Sequence, residues 1–294
     1  MIGCVVVALL WTTGTGSAPA LAATTATIAT ATPASIIREL NAERSANGIP
    51  AGITVNSTWN ARCKKHDHYM AVNDILTHYE VAGDPAYTVG GAWAAKHSVL
   101  DYGSSWKNGN PYQSSPIHLA QLLQPRLKRA GAFELAASGT SWGCTVTLAG
   151  YTRKEPSTNR IYTYPGPGVT GVHNTYVARE LPETPNQAVG APNSTGQELF
   201  VFASGPILTP YNLYSIDITR ATLHPVGGAN VKVKIADALV PFQGVHLGNY
   251  LGPGAGIVIP VNPLRPGTKY VASVTMKGNG MVVRRTWAFT TRNT

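Results

Sequence analysis

The sequence has few acidic residues, few cysteines and, after its first residues, no long apolar run. It contains 14 Asp and Glu against 23 Lys and Arg, which gives a net charge of +9, and only 3 cysteines. No later segment is long and apolar enough to cross a bilayer, so no transmembrane segment is expected. No dense run of Lys and Arg with interleaved aromatic residues is present, so nucleic acid is not an expected partner. Internal repeats are also absent.

The first 23 residues have the pattern of an export signal. They contain no charged residue, an apolar run from Ile2 to Trp11, and small residues near Ala20 and Ala22. The basic start typical of such signals is missing, but the run is too short to span a membrane. We expect a signal peptide over 1–23, a flexible connector over 24–32, and a secreted, extracellular protein. Its positive charge should attract cell-wall polymers, lipids or another anionic extracellular ligand.

Two cysteines, Cys63 and Cys144, follow the expected signal. An oxidising compartment favours one disulfide between them, although the sequence does not show that the two residues lie within reach. The alternative is a pair of buried thiols. Both remain open at this point.

Hydrophobic periodicity predicts three helices in the first half, starting at Pro33, Ser57 and Pro116, and a short helix around 91–100. The alternating stretch at 141–151 predicts a strand that contains Cys144, and the basic residues at 126–131 are expected to be the solvated end of the third helix. After Tyr151 the chain becomes rich in Pro and Gly, and short β-rich runs follow, which is typical of a β-sandwich. Tyr270 is a candidate for a tyrosine corner, with Trp287 and Phe289 as inward neighbours.

His118 lies in the first turn of the third helix, where a histidine has two interpretations. Ser115 suits the N-cap and Pro116 suits the first helical position, so Ile117, Leu119, Leu122 and Leu123 form the buried stripe. The positive end of the helix dipole favours the neutral imidazole, which is the form that a metal ligand or a general base needs. The alternative is a histidine that only satisfies its ring nitrogens locally.

The order of these segments is similar to that of a known family. "IIRELNAERSANGIP", "WNARCKKHDHYMAVND", "LTHYEVAGDPAYT", "SSPIHLAQLLQPRLKRAG" and "WGCTVT" resemble the CAP superfamily, or SCP domain, of cysteine-rich secretory, antigen 5 and pathogenesis-related proteins, in its bacterial type. The resemblance implies an α+β protein: an α-β-α sandwich CAP domain over 33–152, a linker over 153–163, and an all-β Ig-like or fibronectin-like sandwich over 164–294.

The resemblance also implies a cleft lined by two histidines and two acidic residues, which in several members holds a divalent cation. His78 and His118 match the two histidines, and two neutral imidazoles would suit zinc. Lys96 and His97 stand where the family has a glutamate and an asparagine. Glu80 and Asp101 are the nearest substitutes for the missing acids, whereas His66 is expected to be a satisfied core residue.

Three functions follow, in order of preference. The first is a non-enzymatic extracellular binding module whose degenerate cleft is lined by His78, Glu80, Lys96, His97 and His118. The second is a cell-surface adhesion or structural protein that keeps a vestigial cleft. The third is a metal-assisted, peptidase-like hydrolase that activates water with His78 and His118, helped by Glu80 or a bound metal.

Overall fold

The computed structural model describes residues 30–208 and 216–294, so the expected signal peptide and all but the last residues of the expected connector lie outside the described part. The helices are α1 Pro33–Ala46, α2 Ser57–Asn73, α3 Val89–Ala95, α4 Pro116–Leu123, α5 Pro185–Ala188 and α6 Gly248–Leu251. The strands of the first half are β1 Thr54–Val55, β2 Ser98–Tyr102, β3 Arg129–Ala137 and β4 Thr140–Val146. None of the helices in these residues is long and apolar enough to cross a membrane.

The first half is a four-stranded sheet with helices on both faces. The strand order is β1-β3-β4-β2, in which β1 pairs parallel with β3 and the other pairs are antiparallel. Because successive residues of a strand point to opposite faces, the strands feed two cores. One core lies under α2 and contains Cys63, Met70 and Trp142, and the other contains Ile36 and Leu40 of α1 and Leu122 of α4. This arrangement agrees with the expected α-β-α architecture.

The three predicted long helices are confirmed, but two neighbouring segments differ from expectation. Residues 129–137, expected in part as the solvated end of a helix, form strand β3 in the centre of the sheet. The third helix ends at Leu123 because Gln124 precedes Pro125 and adopts an extended ψ of 122°. The predicted short helix around 91–100 spans Val89–Ala95, and Ser98 begins strand β2 instead.

The two cysteines are bonded, so the buried-thiol alternative is wrong. Cys63 of α2 and Cys144 of β4 form a disulfide with a Cα to Cα distance of 5.3 Å. Both residues are buried in the core under α2. The bond fixes this helix to the middle of the sheet.

The second half contains two antiparallel sheets that share one core. Its strands are β5 Arg160–Tyr164, β6 Tyr176–Val177, β7 Ser194–Thr195, β8 Leu199–Ser204, β9 Asp217–Pro225, β10 Val233–Ala236, β11 Pro241–Phe242, β12 Val245–His246, β13 Ala255–Pro260, β14 Lys269–Gly278 and β15 Met281–Thr290. One sheet has the order β10-β13-β8-β5 and the other β15-β14-β9, with two short ribbons beside them. Strand β5 begins inside the segment expected to be a linker, because Arg160 to Tyr164 pair with β8.

The predicted core aromatics of the second half lie between its two sheets. Tyr270, Trp287 and Phe289 are buried in the shared core. The Tyr270 hydroxyl accepts a hydrogen bond from the Arg265 backbone N–H, five residues upstream, at 2.8 Å. A buried tyrosine that bonds back to the preceding backbone in this way has the form of a tyrosine corner.

The two halves are joined by a third apolar core. Ile117, Leu119 and Leu123 of α4 pack with Phe200 and Phe202 of β8. The sheet that contains β8 is therefore buried on both faces, against the second sheet on one side and against the first half on the other. The Gln121 side chain adds a hydrogen bond to the Tyr250 carbonyl at 2.8 Å.

Removing the disulfide with the double variant Cys63→Ala, Cys144→Ala should lower the free energy of unfolding by about 4 kcal/mol, because the bond closes a long loop in the unfolded chain. The two cysteines are 81 residues apart. Equilibrium denaturation of the variant and of the native protein measures the difference. Equal stability of the two proteins would contradict the prediction.

The variant Gly166→Ala should destabilise the junction between the halves by about 1–3 kcal/mol, because the junction leaves no room for a methyl group. A Cβ at Gly166 would lie 2.4 Å from the backbone oxygen of Asn47, whereas one at Gly143 would meet its nearest neighbour, Asp101, at an ordinary 3.5 Å. Gly143→Ala is therefore the matched control. Denaturation curves measure the two free energies of unfolding. An equal loss in both variants would refute the prediction of steric crowding at Gly166.

Candidate functional site

His78 and His118, the two histidines that the resemblance pairs, lie side by side. His78 is in the loop that follows α2, and His118 is in the first turn of α4. Their ring centroids are 6.0 Å apart and their planes are tilted by 31°. The fold thus brings together two residues that are 40 positions apart in the sequence.

A backbone carbonyl sets the tautomer of His78. Its Nδ1 lies 2.8 Å from the Ala95 oxygen, and a carbonyl can only accept, so Nδ1 carries the proton. The lone pair is then on Nε2. Burial lowers the pKa of His78 more than this hydrogen bond raises it, so the ring is neutral at neutral pH.

His118 has an acidic partner from the second half of the chain. Glu180, which follows β6, places Oε1 at 2.9 Å from the His118 backbone nitrogen and at 3.3 Å from its Nδ1. Burial raises the pKa of Glu180 to about 8, and burial together with the neighbouring His78 lowers the pKa of His118 to about 3. The contact between Nδ1 and Oε1 at neutral pH is therefore one between two neutral groups and not an ion pair.

Glu180 also performs the capping role that the sequence assigned to Ser115. Ser115 occupies the N-cap position of α4, but its side chain makes no capping hydrogen bond. Its hydroxyl donates instead to the Arg179 carbonyl at 3.2 Å, and the Arg179 N–H donates to the Ser114 carbonyl at 2.6 Å. These bonds hold residues 178–182, which we call the strap, along the start of α4.

The cleft around the two histidines has two lobes that share His78, His118, Glu180 and Leu181. The first lobe, of about 480 Å³, is also lined by apolar side chains and by Asp101; its other apolar residues include Leu76, Leu100 and Ala178. The second lobe, of about 710 Å³, is lined by Lys96 and by amide and aromatic side chains, among them Gln121, Gln243, Asn249 and Tyr250. Leu181 of the strap is 92% exposed and borders both lobes.

Two further residues that the sequence placed in the cleft point elsewhere. The Glu80 carboxylate is fully buried, accepting from the Thr88 backbone N–H at 2.9 Å and contacting His66 Nδ1 at 3.0 Å. It lines neither lobe, so the expectation that it replaces the missing cleft acid is corrected. His66 has both ring nitrogens bonded, the second to the Thr77 carbonyl at 2.9 Å, as expected of a core residue.

His97 likewise turns away from the cleft. Its ring stacks on Trp93 with a centroid distance of 4.3 Å, and its Nδ1 bonds to the Trp93 carbonyl. Lys96 and Asp101 do border the cleft, one in each lobe, and burial raises the pKa of Asp101 to about 6. The sequence had no signal for Glu180, because "RELPETP" has no motif and lies 62 residues from His118.

The side chains of the cleft do not fit a resident zinc ion. The two histidines offer two Nε2 atoms, whereas zinc sites in proteins use three or four protein ligands. Glu180 is engaged with His118, and the Lys96 ammonium lines the second lobe and disfavours a cation there. Across residues 30–208 and 216–294, no group of three or more His, Cys, Asp or Glu side chains could hold a metal ion.

The first half thus combines a sheet covered by helices on both faces with two adjacent histidines in a cleft at the start of α4. The family model of the cysteine-rich secretory protein family, CAP, matches residues 37–146. This match supports a CAP domain over that segment, which contains both histidines and the disulfide. It ends before β5, and no curated protein matches the chain.

Replacing Glu180 with Gln should make stability less dependent on pH above about 6.5. In the folded protein this carboxyl keeps its proton up to a pKa of about 8, against an ordinary value of 4.5. In the unfolded chain Glu180 loses this proton near its ordinary pKa of 4.5. The free energy of unfolding therefore falls as pH rises towards about 8, by up to about 1.4 kcal/mol per pH unit for one proton. Protonation of His118 makes stability rise with pH instead, but only below about pH 6.5, because its pKa is lowered from 6.5 to about 3.

Denaturation at pH 6.5 and pH 8 measures this slope for the native protein and for Glu180→Gln. Glu198 is the matched control, since burial also raises its pKa to about 8. Glu198→Gln should flatten the slope similarly but leave the NMR signals of the His118 ring in place, whereas Glu180→Gln should move them. If Glu180→Gln changed neither the pH dependence of stability nor the NMR signals of the His118 ring, the raised pKa of Glu180 and its contact with His118 would be disproved.

Proposed function

We propose that the chain is a secreted, non-enzymatic binding protein whose CAP cleft takes up an amphiphilic extracellular ligand. The carrying observation is the two-lobed cleft, in which one lobe is mostly apolar, the other contains Lys96, and the neutral pair His118 and Glu180 lies between them. Lobes of several hundred Å³ are in the range of small-molecule sites.

The linings suggest how such a ligand would lie. An apolar segment would occupy the first lobe against Leu76, Leu100 and Leu181, and an anionic or hydroxyl group would lie near Lys96 in the second lobe. The Nε2 atom of His78 would accept a hydrogen bond from a ligand hydroxyl, because the Ala95 carbonyl holds the proton on Nδ1. Lipids and lipid-linked envelope components have this combination of groups.

Binding is favoured over hydrolysis by the state of the histidines. General bases work best when their pKa lies near the operating pH. The pKa of His118, about 3, is far below neutral pH. The Ser115 hydroxyl, three residues before His118, donates to the Arg179 carbonyl and not to an imidazole. A peptidase activity that is lost in His118→Ala would reverse this preference.

Residues 164–294 are proposed to be an Ig-like module that attaches the protein to the cell surface. The shared core of the two sheets and the bond of the Tyr270 hydroxyl support an Ig-like sandwich. Adhesion is the second candidate function, favoured by this appended β-sandwich. The buried junction at α4 makes the module part of the binding site as well, because it supplies Glu180.

The variant Leu181→Asp should weaken binding of a dansyl-labelled undecanoic acid by tenfold or more, since burying a leucine side chain contributes about 1.5–3 kcal/mol. Leu181 is almost fully exposed, so its replacement should not disturb folding. Fluorescence titration measures the affinity. Val282→Asp, another exposed apolar residue on β15, is the matched control. The absence of saturable binding, or an equal loss of affinity in both variants, would contradict the proposal.

A further inference from the structure

The solvent-facing side of α2 carries a set of cations that the cleft does not use. The segments 54–65, 89–97 and 129–133 surround this side and contain no Asp or Glu. Arg62, Lys64 and Lys65 project from α2, and Arg129 projects from the neighbouring strand β3. We call these four residues, with Trp59, Trp93 and Phe133, the α2 face.

Aromatic rings hold three of these cations in place. Arg62 lies 4.3 Å from the ring centroid of Trp93, Lys64 lies 5.7 Å from that of Phe133, and Arg129 lies 5.3 Å from that of Trp59. Trp59 and Trp93 are themselves in contact, with centroids 5.9 Å apart. All three cation-aromatic contacts of the described residues are on this face. Such contacts fix a cation without neutralising it, which leaves its N–H groups available to an anion.

None of these four cations has a carboxylate partner in the described part of the chain. The ion pairs there are His66 with Glu80, His118 with Glu180, and Arg126 with Glu155, all elsewhere. Arg62 and Lys65 lie one turn apart on α2, and their aliphatic stems border Gly90, the second residue of α3. The positive charge is therefore ordered, uncompensated and extended along the helix.

The exposed side chains favour a polymer over a membrane. Over the first three turns of α2 they are Ser57, Thr58, Ala61, Lys64, Lys65 and His68, none of them large and apolar, and the flanking segments add only two exposed valines, Val55 and Val89. Trp59 and Trp93 are half-buried and covered by arginines, so they are not free to enter a bilayer. Repeated anions along a hydrophilic chain would match the spaced cations.

We propose that the α2 face is a second binding site, separate from the cleft, that takes a polyanionic glycan. Its cations would contact sulfate or phosphate groups that repeat along the polymer, and the rings beneath would keep the cations oriented. The site does not depend on the proposed function of the cleft, because it shares no residue with the lining of either lobe.

Calorimetric titration of the full chain with dextran sulfate, and with uncharged dextran of the same length, tests the site. The triple variant Arg62→Gln, Lys64→Gln, Lys65→Gln should bind dextran sulfate about tenfold more weakly, equivalent to about 1.4 kcal/mol. The control triple Lys277→Gln, Arg284→Gln, Arg285→Gln removes the same charge from exposed positions of β14 and β15. It should lose less than about a third as much binding free energy, because distant exposed charges are screened.

The variant Arg62→Lys tests whether binding needs a cation oriented by Trp93 or only its positive charge. It keeps the charge but loses the planar group on Trp93, so it should bind more weakly than the native protein. Equal losses in the two triples, or binding of uncharged dextran, would overturn the site. Tighter binding to single-stranded oligonucleotide or to phosphatidylglycerol vesicles than to dextran sulfate would overturn the choice of a glycan. Glu180→Gln should leave dextran sulfate binding unchanged, which separates this result from the outcome at the cleft.

Discussion

The burial of α4 on two sides is the constraint on which the rest of the structure depends. Leu122 faces the core of the first half, whereas Ile117, Leu119 and Leu123 face the sheet of the second half. An isolated helix of 8 residues is not stable in water, so α4 exists because both halves pack against it. His118 lies in its first turn, and the position of the cleft is therefore fixed by the contact between the two halves.

This packing explains why an acid from outside the CAP segment reaches the cleft. The start of α4 presents backbone N–H groups that need acceptors, and the Ser115 side chain does not supply one. The strap lies along this helix end because the sheets behind it are anchored to α4, and Glu180 accepts from the His118 N–H. The same oxygen lies 3.3 Å from Nδ1 of the His118 ring. Helix capping and site formation are thus performed by one side chain.

Local patterns predicted the parts of the fold that depend on local physics. Pro33, Ser57 and Pro116 mark the starts of helices because capping and periodicity act within a few residues. For Cys63 and Cys144 the sequence favoured a disulfide without showing that they lie within reach, and only the fold brings them together. Strand β3 was missed because its basic first residues resemble a helix end, and only its neighbours in the sheet decide its conformation. Glu80 was misplaced for a similar reason. Its nearness to His78 in the sequence does not determine where its side chain points, and its carboxylate contacts His66 and Thr88 outside the cleft.

Burial also decides which of these ionisable groups carry charge. The start of α4 is buried against the second half, and burial there raises the pKa of Glu180 to about 8 and lowers that of His118 to about 3. The face covered by α2 has no such covering layer, and its cations remain in water, held by aromatic rings. The disulfide between α2 and β4 connects the helix that bears these cations to the sheet itself. Burial therefore separates the chemistry of the His118 and Glu180 pair in the cleft from that of the solvated cations on the α2 face.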